Sequence, residues 1–286
     1  ARLVAALGAE DIRWVGGCVR DTLLGHASND IDAATRHLPA AVIDRCKAAG
    51  IRTIPTGIDH GTVTAIFDDG NVEITTLRRD VETDGRRATI AFSEDWRDDA
   101  ARRDFTINAL YAHPETLAID DYFGGLDDLA AHRVRFIGDA ATRIREDHLR
   151  ILRYFRFATR FGDDWDAEAS RACSELAPTL KGLSRERVGW ELQNLLALPD
   201  PAATVDRMRE LGVLQEVLPE SGRREVAQLA RLVDAERSAA IAPAAMRRMA
   251  ALLPPIVPVA ETVAARLRLS RSQRGRLTCI ARREPQ

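Results

Sequence analysis

The sequence predicts an α+β fold in two parts, an N-terminal part mixing short strands with helices and an all-helical remainder. Three observations predict it. Before residue 137, apolar and polar residues alternate in short runs, the mark of half-buried strands. After Gly138 the apolar spacing is helical, and prolines at 178, 199, 201, 219, 243, 254, 255 and 258 punctuate segments of ordinary helix length. At 286 residues, 45% hydrophobic and 29% charged, the chain is longer than one core usually supports.

The elements follow in order. "DIRWVGG" (11–17) and "DIDAAT" (30–35) read as short strands, and "LPAAVIDRCKAAG" (38–50) as an amphipathic helix that stops at Gly50. "TVTAIFDDGNVEITTL" (62–77) is two alternating runs joined by "DDG", a β-hairpin. From Arg78 to Arg103 the charged sequence shows no clear period and reads as a long loop and a helix start. "FTINALYAH" (105–113) fits a helix or a strand, and the paired glycines of "LAIDDYFGGLDDL" (117–129) mark a turn. No internal repeat or low-complexity tract is present.

Composition excludes some classes. No apolar run is long enough to cross a bilayer and no signal-peptide pattern is present, so no membrane partner is expected. Cys18, Cys46, Cys173 and Cys279 are scattered, which argues for a reducing, cytoplasmic location and against a structural zinc site. The histidines lack metal-ligand spacing. His60 reads as a turn residue, and Trp190 and Phe155 as core. Formal charge is −2, but residues 1–137 hold 16 basic against 23 acidic side chains and residues 138–286 hold 25 against 20. Nearly all the basic residues are arginine, with only Lys47 and Lys181 as lysine. An arginine-rich codon bias and a C-terminal half facing phosphates with guanidinium forks both fit.

The segment "VGGCVRDTLLGHASNDIDAAT" (15–35) carries the chemistry. In an extended strand residues i and i+2 point the same way, so Asp30 and Asp32 present two carboxylates together, with Ile31 toward the core. Such a pair repels unless a cation sits between. Magnesium fits, because it binds one or two carboxylates plus substrate phosphates. Glu73, on a predicted strand between apolar residues, qualifies as a third ligand. Gly16 and Gly17 let backbone amides approach a triphosphate, which Arg20 could neutralise. On spacing alone, a chance Asp-x-Asp beside an ordinary glycine turn is the competing reading.

Together with "ARRDFTINAL" (101–110), "DDYFGGLDDL" (120–129), "REDHLRILRYFRF" (145–157) and "SRERVGWELQNLL" (184–196), this segment resembles the polymerase β nucleotidyltransferase superfamily. More narrowly it resembles the class II CCA-adding enzymes (tRNA nucleotidyltransferases) and their bacterial poly(A) polymerase relatives, over roughly residues 13 to 220. The resemblance implies an N-terminal nucleotidyltransferase head with a small mixed sheet (1–137), a helical neck (138–198) and a helical body (199–286), with the family's tail absent or partial. It implies Mg²⁺-dependent addition of C, C and A from CTP and ATP to the tRNA 3′ end without a nucleic-acid template, with Asp30 and Asp32 catalytic and Asp30, Asp32 and Glu73 on the metal. Oligomeric state is not legible.

"EDHLRILR" is predicted as helix, with Leu149, Ile151, Leu152 and Phe155 on an apolar side and Glu146, Asp147, Arg150 and Arg153 opposite. Asp147 and Arg150, at i and i+3, are neighbours on that helix, and a solvated salt bridge between them is the ordinary reading. The other reading is base selection. Cytosine and adenine pair an amino donor with an unprotonated ring nitrogen; ionised aspartate only accepts and arginine only donates. A bidentate match is worth about 1–3 kcal/mol of discrimination. The resemblance assigns this choice to Asp147 and Arg150, and Arg153 is grouped with them at the nucleotide. "RRDFTIN" gathers Arg102, Arg103, Asp104 and Asn108, and Asp104 could accept from a ribose 2′-OH. The resemblance places ribose and phosphate contacts on Arg103, Asp104 and Asn108; a capped helix start with a salt bridge is the alternative.

Resemblance makes 78–96 a flexible loop that helps the site switch from C to A. In "DDYFGG" Tyr122 follows Asp120-Asp121, where the family usually has proline after its first aspartate; Gly124 and Gly125 suit a hinge between head and neck. "SRERVGWELQNLL" opens on a plausible N-cap, Ser184, and its expected work is to brace the reader helix. A poly(A) polymerase and a CC-only or A-only enzyme are the near rivals, though "TGIDHGTVTAI" (56–66) looks more like a CCA-adding enzyme. A catalytically inactive RNA-binding module and a small-molecule nucleotidyltransferase are the distant ones.

Overall fold

The computed structural model describes residues 1–28, 30–84, 87–162 and 164–282, with backbone alone for 80–84 and 87–90. The chain forms two compact units, Ala1–Asp139 and Ala140–Gln286. The first is a mixed sheet with helices and the second is helical, the α+β arrangement that the sequence predicts.

In the first unit, α1 (Arg2–Leu7) leads into β1 (Ile12–Val15), then α2 (Gly17–Leu23), β2 (Ile31–Thr35) and α3 (Pro39–Ala48). Proline near the start of α3 supplies a preset φ, and Gly50 beyond its end takes φ +68°. Strands β3 (Arg52–Gly57), β4 (Thr62–Phe67) and β5 (Gly70–Thr76) follow, with β4 and β5 forming the expected hairpin around Asp68-Asp69. The sheet has seven strands in the order β3-β4-β5-β2-β1-β8-β9, where β8 is Leu110–Ala112 and β9 is Ile119–Asp121. Only the β2–β5 pairing is parallel among these strands.

One core fills one face of the sheet, where Leu3 and Leu7 of α1 and Val42 and Cys46 of α3 cover Ile12, Ala33, Val63, Ala65, Val72 and Ile74. A second gathers Val15, Ala34, Leu77, Trp96, Ala100, Ala109 and Tyr111. Ile31 is not in the core, as expected from its alternation, but 40% exposed.

The charged stretch after Arg78 is more ordered than expected of a loop. It forms β6 (Arg78–Asp84) and β7 (Arg87–Phe92), paired antiparallel with a bulge between Asp80 and Glu82. The Asp84-Gly85 pair is a hairpin signal that the surrounding charges hide. Residues 85 and 86, within the expected flexible loop, lie outside the described residues. Helix α4 (Trp96–Ala101) follows, capped by the Asp95 carboxylate, which accepts from the Arg97 N–H. "FTINALYAH" resolves into a 3₁₀ turn, Thr106–Asn108, and β8.

Asp121 accepts from the amides of Phe123, Gly125 and Leu126 and so caps α5 (Gly125–Ala130). A side chain at Gly125 would meet the Thr106 carbonyl at 2.3 Å. Tight packing inside the first unit therefore requires that glycine.

The second unit runs α6 (Ala140–Glu146), α7 (Arg150–Phe161), α8 (Ala167–Leu176), α9 (Arg185–Leu196), α10 (Ala202–Glu210), α11 (Val213–Val217), α12 (Arg223–Ser238), α13 (Ala245–Ala251), α14 (Val257–Arg266) and α15 (Arg271–Arg282). Its interior holds a buried ion pair. Arg248, 1% exposed, donates to Glu236 and to the carbonyls of Leu196, Leu198 and Pro199, tying off the C-terminus of α9. Phe155 is fully buried, as expected. Trp190 is not; it is 57% exposed, on the side of α9 away from Val188, Leu192 and Leu195, with the Arg156 guanidinium 5.9 Å from its ring.

Candidate active site

Parallel pairing of β2 with β5 places Asp32 directly beside Glu73. Residues in register project from the same face of a sheet, so the two carboxylates are neighbours. Asp30 precedes β2 by one residue and is exposed; Asp32 and Glu73 are half-buried and exposed respectively. Burial pushes the Asp32 carboxyl above its ordinary range, Arg103 opposes the rise, and Asp30 adds to it. Glu73 is likewise raised, first by burial and then by Asp32, with Asp30 adding and Arg78 opposing. The three acids thus feel one another's charge.

Among the described residues, no three His, Cys, Asp or Glu side chains converge closely enough to enclose an ion alone. An arrangement in which two acids and substrate oxygens share the ion suits magnesium, which keeps several non-protein ligands. The mutual repulsion is what a cation relieves.

Gly16 ends the strand side of the first turn, with φ +73° and its N–H on the Leu110 carbonyl at 3.1 Å. A Cβ there would lie 3.2 Å from Nη1 of Arg103, so the glycine makes room for that guanidinium. Gly17 opens α2. Arg20, expected at the triphosphate, is only 4% exposed; its Nε donates to Asp21 at 2.9 Å and its Nη1 to Oδ1 of Asn108. Asn108 in turn donates to Asp104 Oδ1 at 2.9 Å, which also accepts the Phe105 amide. The buried chain Asp21–Arg20–Asn108–Asp104 joins the glycine turn to "RRDFTIN". In this structure Arg20 braces the turn from within.

Arg103 is held by a second network. It donates to the Tyr111 hydroxyl at 3.0 Å and to Asp99 Oδ2 at 3.2 Å; Asp99 also accepts from Tyr111 at 2.7 Å, from Arg102 Nε at 2.8 Å and from the Arg78 amide at 3.3 Å. Burial would raise the Asp99 carboxyl, but Arg103 and Arg102 hold it down at about 2. Tyr111 is pushed up, chiefly by burial, so it stays a neutral hydroxyl donor. Asp99 and Tyr111 are not legible from sequence as Arg103's partners: one lies four residues before it and the other eight after it, across the 3₁₀ turn.

In the second unit the segment "EDHLRILR" departs from the predicted continuous helix. Helix α6 ends at Glu146, residues 147–149 turn, and α7 begins at Arg150. Asp147 is thus off the helix: its Oδ1 accepts from the Leu149 amide at 3.1 Å and its backbone carbonyl from the Arg150 amide at 2.9 Å. The Asp147–Arg150 salt bridge does not form. Asp147 Oδ2 instead receives Arg187 Nη2 of α9 at 2.7 Å, while Arg150 Nη1 donates to Glu146 and to the Arg143 carbonyl. Arg153 lies 3.6 Å from Glu191, a buried carboxylate that also takes Arg156 at 2.6 Å. Helix α9 therefore does brace α7, and through Arg187 it also reaches Asp147. Ser184 sits at its N-cap without a side-chain capping bond.

The sequence was compared with known proteins. Residues 12–135 match the family model described as the poly A polymerase head domain, and residues 166–222 match that described as a probable RNA and SrmB-binding site of polymerase A. The CCA tRNA nucleotidyltransferase 1, mitochondrial, of Homo sapiens is 47% identical over 190 residues, 65% of this chain and 44% of that protein. A CCA-adding enzyme of Streptococcus pyogenes is 43% identical over 188 residues, 65% of this chain and 46% of its own length.

The chain belongs to the class II CCA-adding enzyme family.

It spans about half the length of the curated relatives it matches. Among solved structures, the family's Bacillus stearothermophilus CCA-adding enzyme in complex with CTP aligns with TM-score 0.73 and 29% identity, over 97% of this chain and 64% of that one. A tRNA-processing enzyme in apo form shares the fold with TM-score 0.82 at 22% identity, over 99% of this chain and 77% of that chain. No helix among the described residues is long and apolar enough to cross a membrane.

Proposed function

We propose that this chain adds C, C and A to the 3′ end of tRNA by nucleotidyl transfer from CTP and ATP, releasing pyrophosphate. The carrying observation is the register of Asp32 with Glu73, beside Asp30 and Arg103, at the end of a glycine turn. The named activities of its relatives support the same reading. Residues 1–137 serve as catalytic head, 138–198 as neck and 199–286 as body, and the free cysteines suit a reducing compartment such as the cytoplasm.

Asp30 and Asp32, with Glu73 to one side, would hold divalent magnesium. When bound, the ion lowers the pKa of the attacking hydroxyl and neutralises charge on the phosphates. The protein's own residues do the rest. The Gly16 turn brings the Gly17 amide at the start of α2 to the triphosphate, and Arg103, locked by Asp99 and Tyr111, sets a cation beside Asp32. Arg20 and Asn108 fix the turn and hold Asp104 for a ribose contact. Asp147 and Arg150 read the base edge, one accepting and one donating, and Arg187 and Glu146 position them.

The test is incubation with tRNA lacking its 3′ CCA, magnesium, and CTP and ATP singly and together, followed by sequencing of the 3′ ends. Growth by C, C and A supports the reading. An open-ended A tail indicates a poly(A) polymerase, growth by C or A alone a partial enzyme, and no growth an inactive RNA-binding module.

A further inference from the structure

One row of side chains crosses four strands of the first unit. Ile54 pairs with Thr64, Thr64 with Glu73, and Glu73 with Asp32, so all four project from the same face. The row begins at the carboxylates and ends on the edge strand β3. Its outer half differs in chemistry from its inner half. Thr64 Oγ1 and Thr56 Oγ1 share a hydrogen bond of 2.8 Å, and Ile54 is 45% exposed. The shared bond uses one hydroxyl hydrogen, leaving the other hydrogen and the oxygen lone pairs for a ligand. Arg52, exposed on the same strand, lies across from Ile66 two pairs further along and so on the same face.

We propose that this outer half, Ile54, Thr56 and Thr64, seats the terminal nucleotide of the acceptor RNA. The inference rests on the acceptor-RNA part of the function proposed above. In-line displacement puts the attacking oxygen and the leaving pyrophosphate on opposite sides of the phosphorus. The glycine turn lies at the end of β1, which flanks β2 on one side; β5, β4 and β3 extend from the other. With the pyrophosphate on the β1 side, the 3′-hydroxyl arrives from the β4 side. Thr64 is two strand spacings from Asp32, about 10 Å, within the reach of a terminal nucleotide's own 5′-phosphate and ribose. Hydroxyls suit that position. They bond a phosphodiester or a 2′-OH without adding negative charge next to Asp30, Asp32 and Glu73. Exposed Ile54 offers an apolar surface to the nucleoside and Arg52 a cation to the preceding phosphate.

The experiment uses the full chain and a fluorescein-labelled tRNA acceptor minihelix trimmed of its 3′ end. Anisotropy gives Kd, and steady-state incorporation gives separate KM values for RNA and CTP. Thr64→Val should weaken RNA binding and raise the RNA KM by about fivefold, with the CTP KM unmoved. Thr64→Ser should restore both. Ile54→Asp should weaken RNA binding more, and more at low salt, by charge repulsion alone. Unchanged RNA Kd in both Thr64→Val and Ile54→Asp overturns the proposal, and so does a shift in the CTP KM alone. Wild-type protein that binds the minihelix but adds nothing sinks the activity reading, and the binding comparison still judges the row.

Discussion

Asp99→Asn tests whether one buried carboxylate holds Arg103 beside Asp32. Asp99 is 1% exposed and accepts four hydrogen bonds, from Arg102, Arg103, Tyr111 and the Arg78 amide. Its carboxyl lies at about 2 in the folded protein against an ordinary 3.8, so the ionised form contributes roughly 2–3 kcal/mol to folding at neutral pH. The sign is that of a depressed acid. The unfolded chain binds more protons between about pH 2 and 4, so this contribution is complete above about pH 5 and is lost as pH falls toward 2. An amide keeps the shape but turns an NH₂ group toward two donors, on either the Arg102 side or the Tyr111 side. A loss near 3 kcal/mol in a unit of this size lowers Tm by roughly 10 °C.

Circular dichroism melts of wild type and Asp99→Asn at pH 7 and pH 3 measure both parts. The gap should be wide at pH 7 and clearly narrower at pH 3. Incorporation should fall as well at temperatures where the variant is folded, because Arg103 loses its anchor beside Asp32. Equal melting at pH 7, or a gap that does not narrow with acid, would refute the argument that Asp99 works as a buried anion.

Other outcomes follow from the same geometry. Asp32→Asn should abolish incorporation and leave tRNA binding near wild type. Because its carboxyl is raised in the fold by burial and by Asp30, the ionised side chain opposes folding above the unfolded pKa, so Asp32→Asn should also raise the metal-free Tm at pH 7; added Mg²⁺ should raise the Tm of wild type and not of the variant. Asp147→Ala should blur preference among the four NTPs more than it slows addition, and Arg187→Ala should do the same more weakly, read by single-nucleotide competition. Gly189→Ala should destabilise the second unit by about 1–3 kcal/mol in a urea melt, since its methyl would meet the Leu267 carbonyl at 2.5 Å.

What the sequence made legible was local. Asp30 and Asp32 could be read as a pair because strand alternation has period two, and the β4–β5 hairpin because "DDG" sits between two alternating runs. The partners of those residues were not legible, because they come from pairing at long range. Nothing in the order of residues says that β5 runs parallel to β2 and brings Glu73 level with Asp32. An arginine after two glycines reads as a phosphate ligand; its burial against Asn108, 88 positions away, is tertiary and not legible in the sequence. Asp147 was put on a helix because its apolar neighbours keep helical spacing. The segment turns at 147–149 instead, and its own carboxylate, accepting the Leu149 amide, stabilises the turn. Alternation gives the face of Ile31 but not its burial: it is 40% exposed at the first position of β2 while its neighbour Val72 is buried.

The arginine surplus shows how the fold decides between readings that composition leaves open. In the second unit many guanidinium groups face protein rather than solvent. Arg266 grips Glu220 with two parallel bonds of 2.7 and 2.6 Å, and burial, which would raise the Glu220 carboxyl, is outweighed by that grip. Arg248 bonds a carboxylate and three carbonyls at once, and Arg153 and Arg156 converge on Glu191. Each of these uses several donors in a fixed plane, which a lysine ammonium cannot reproduce. A positive balance of charge in this half is therefore not by itself a phosphate surface. The guanidinium forks hold α7, α9 and α13 in place; Arg187 of α9 reaches Asp147 in the turn before α7, and Arg150 opens α7 beside Glu146. Arginine here fixes the backbone that presents Asp147 and Arg150, the pair proposed above to read the base edge.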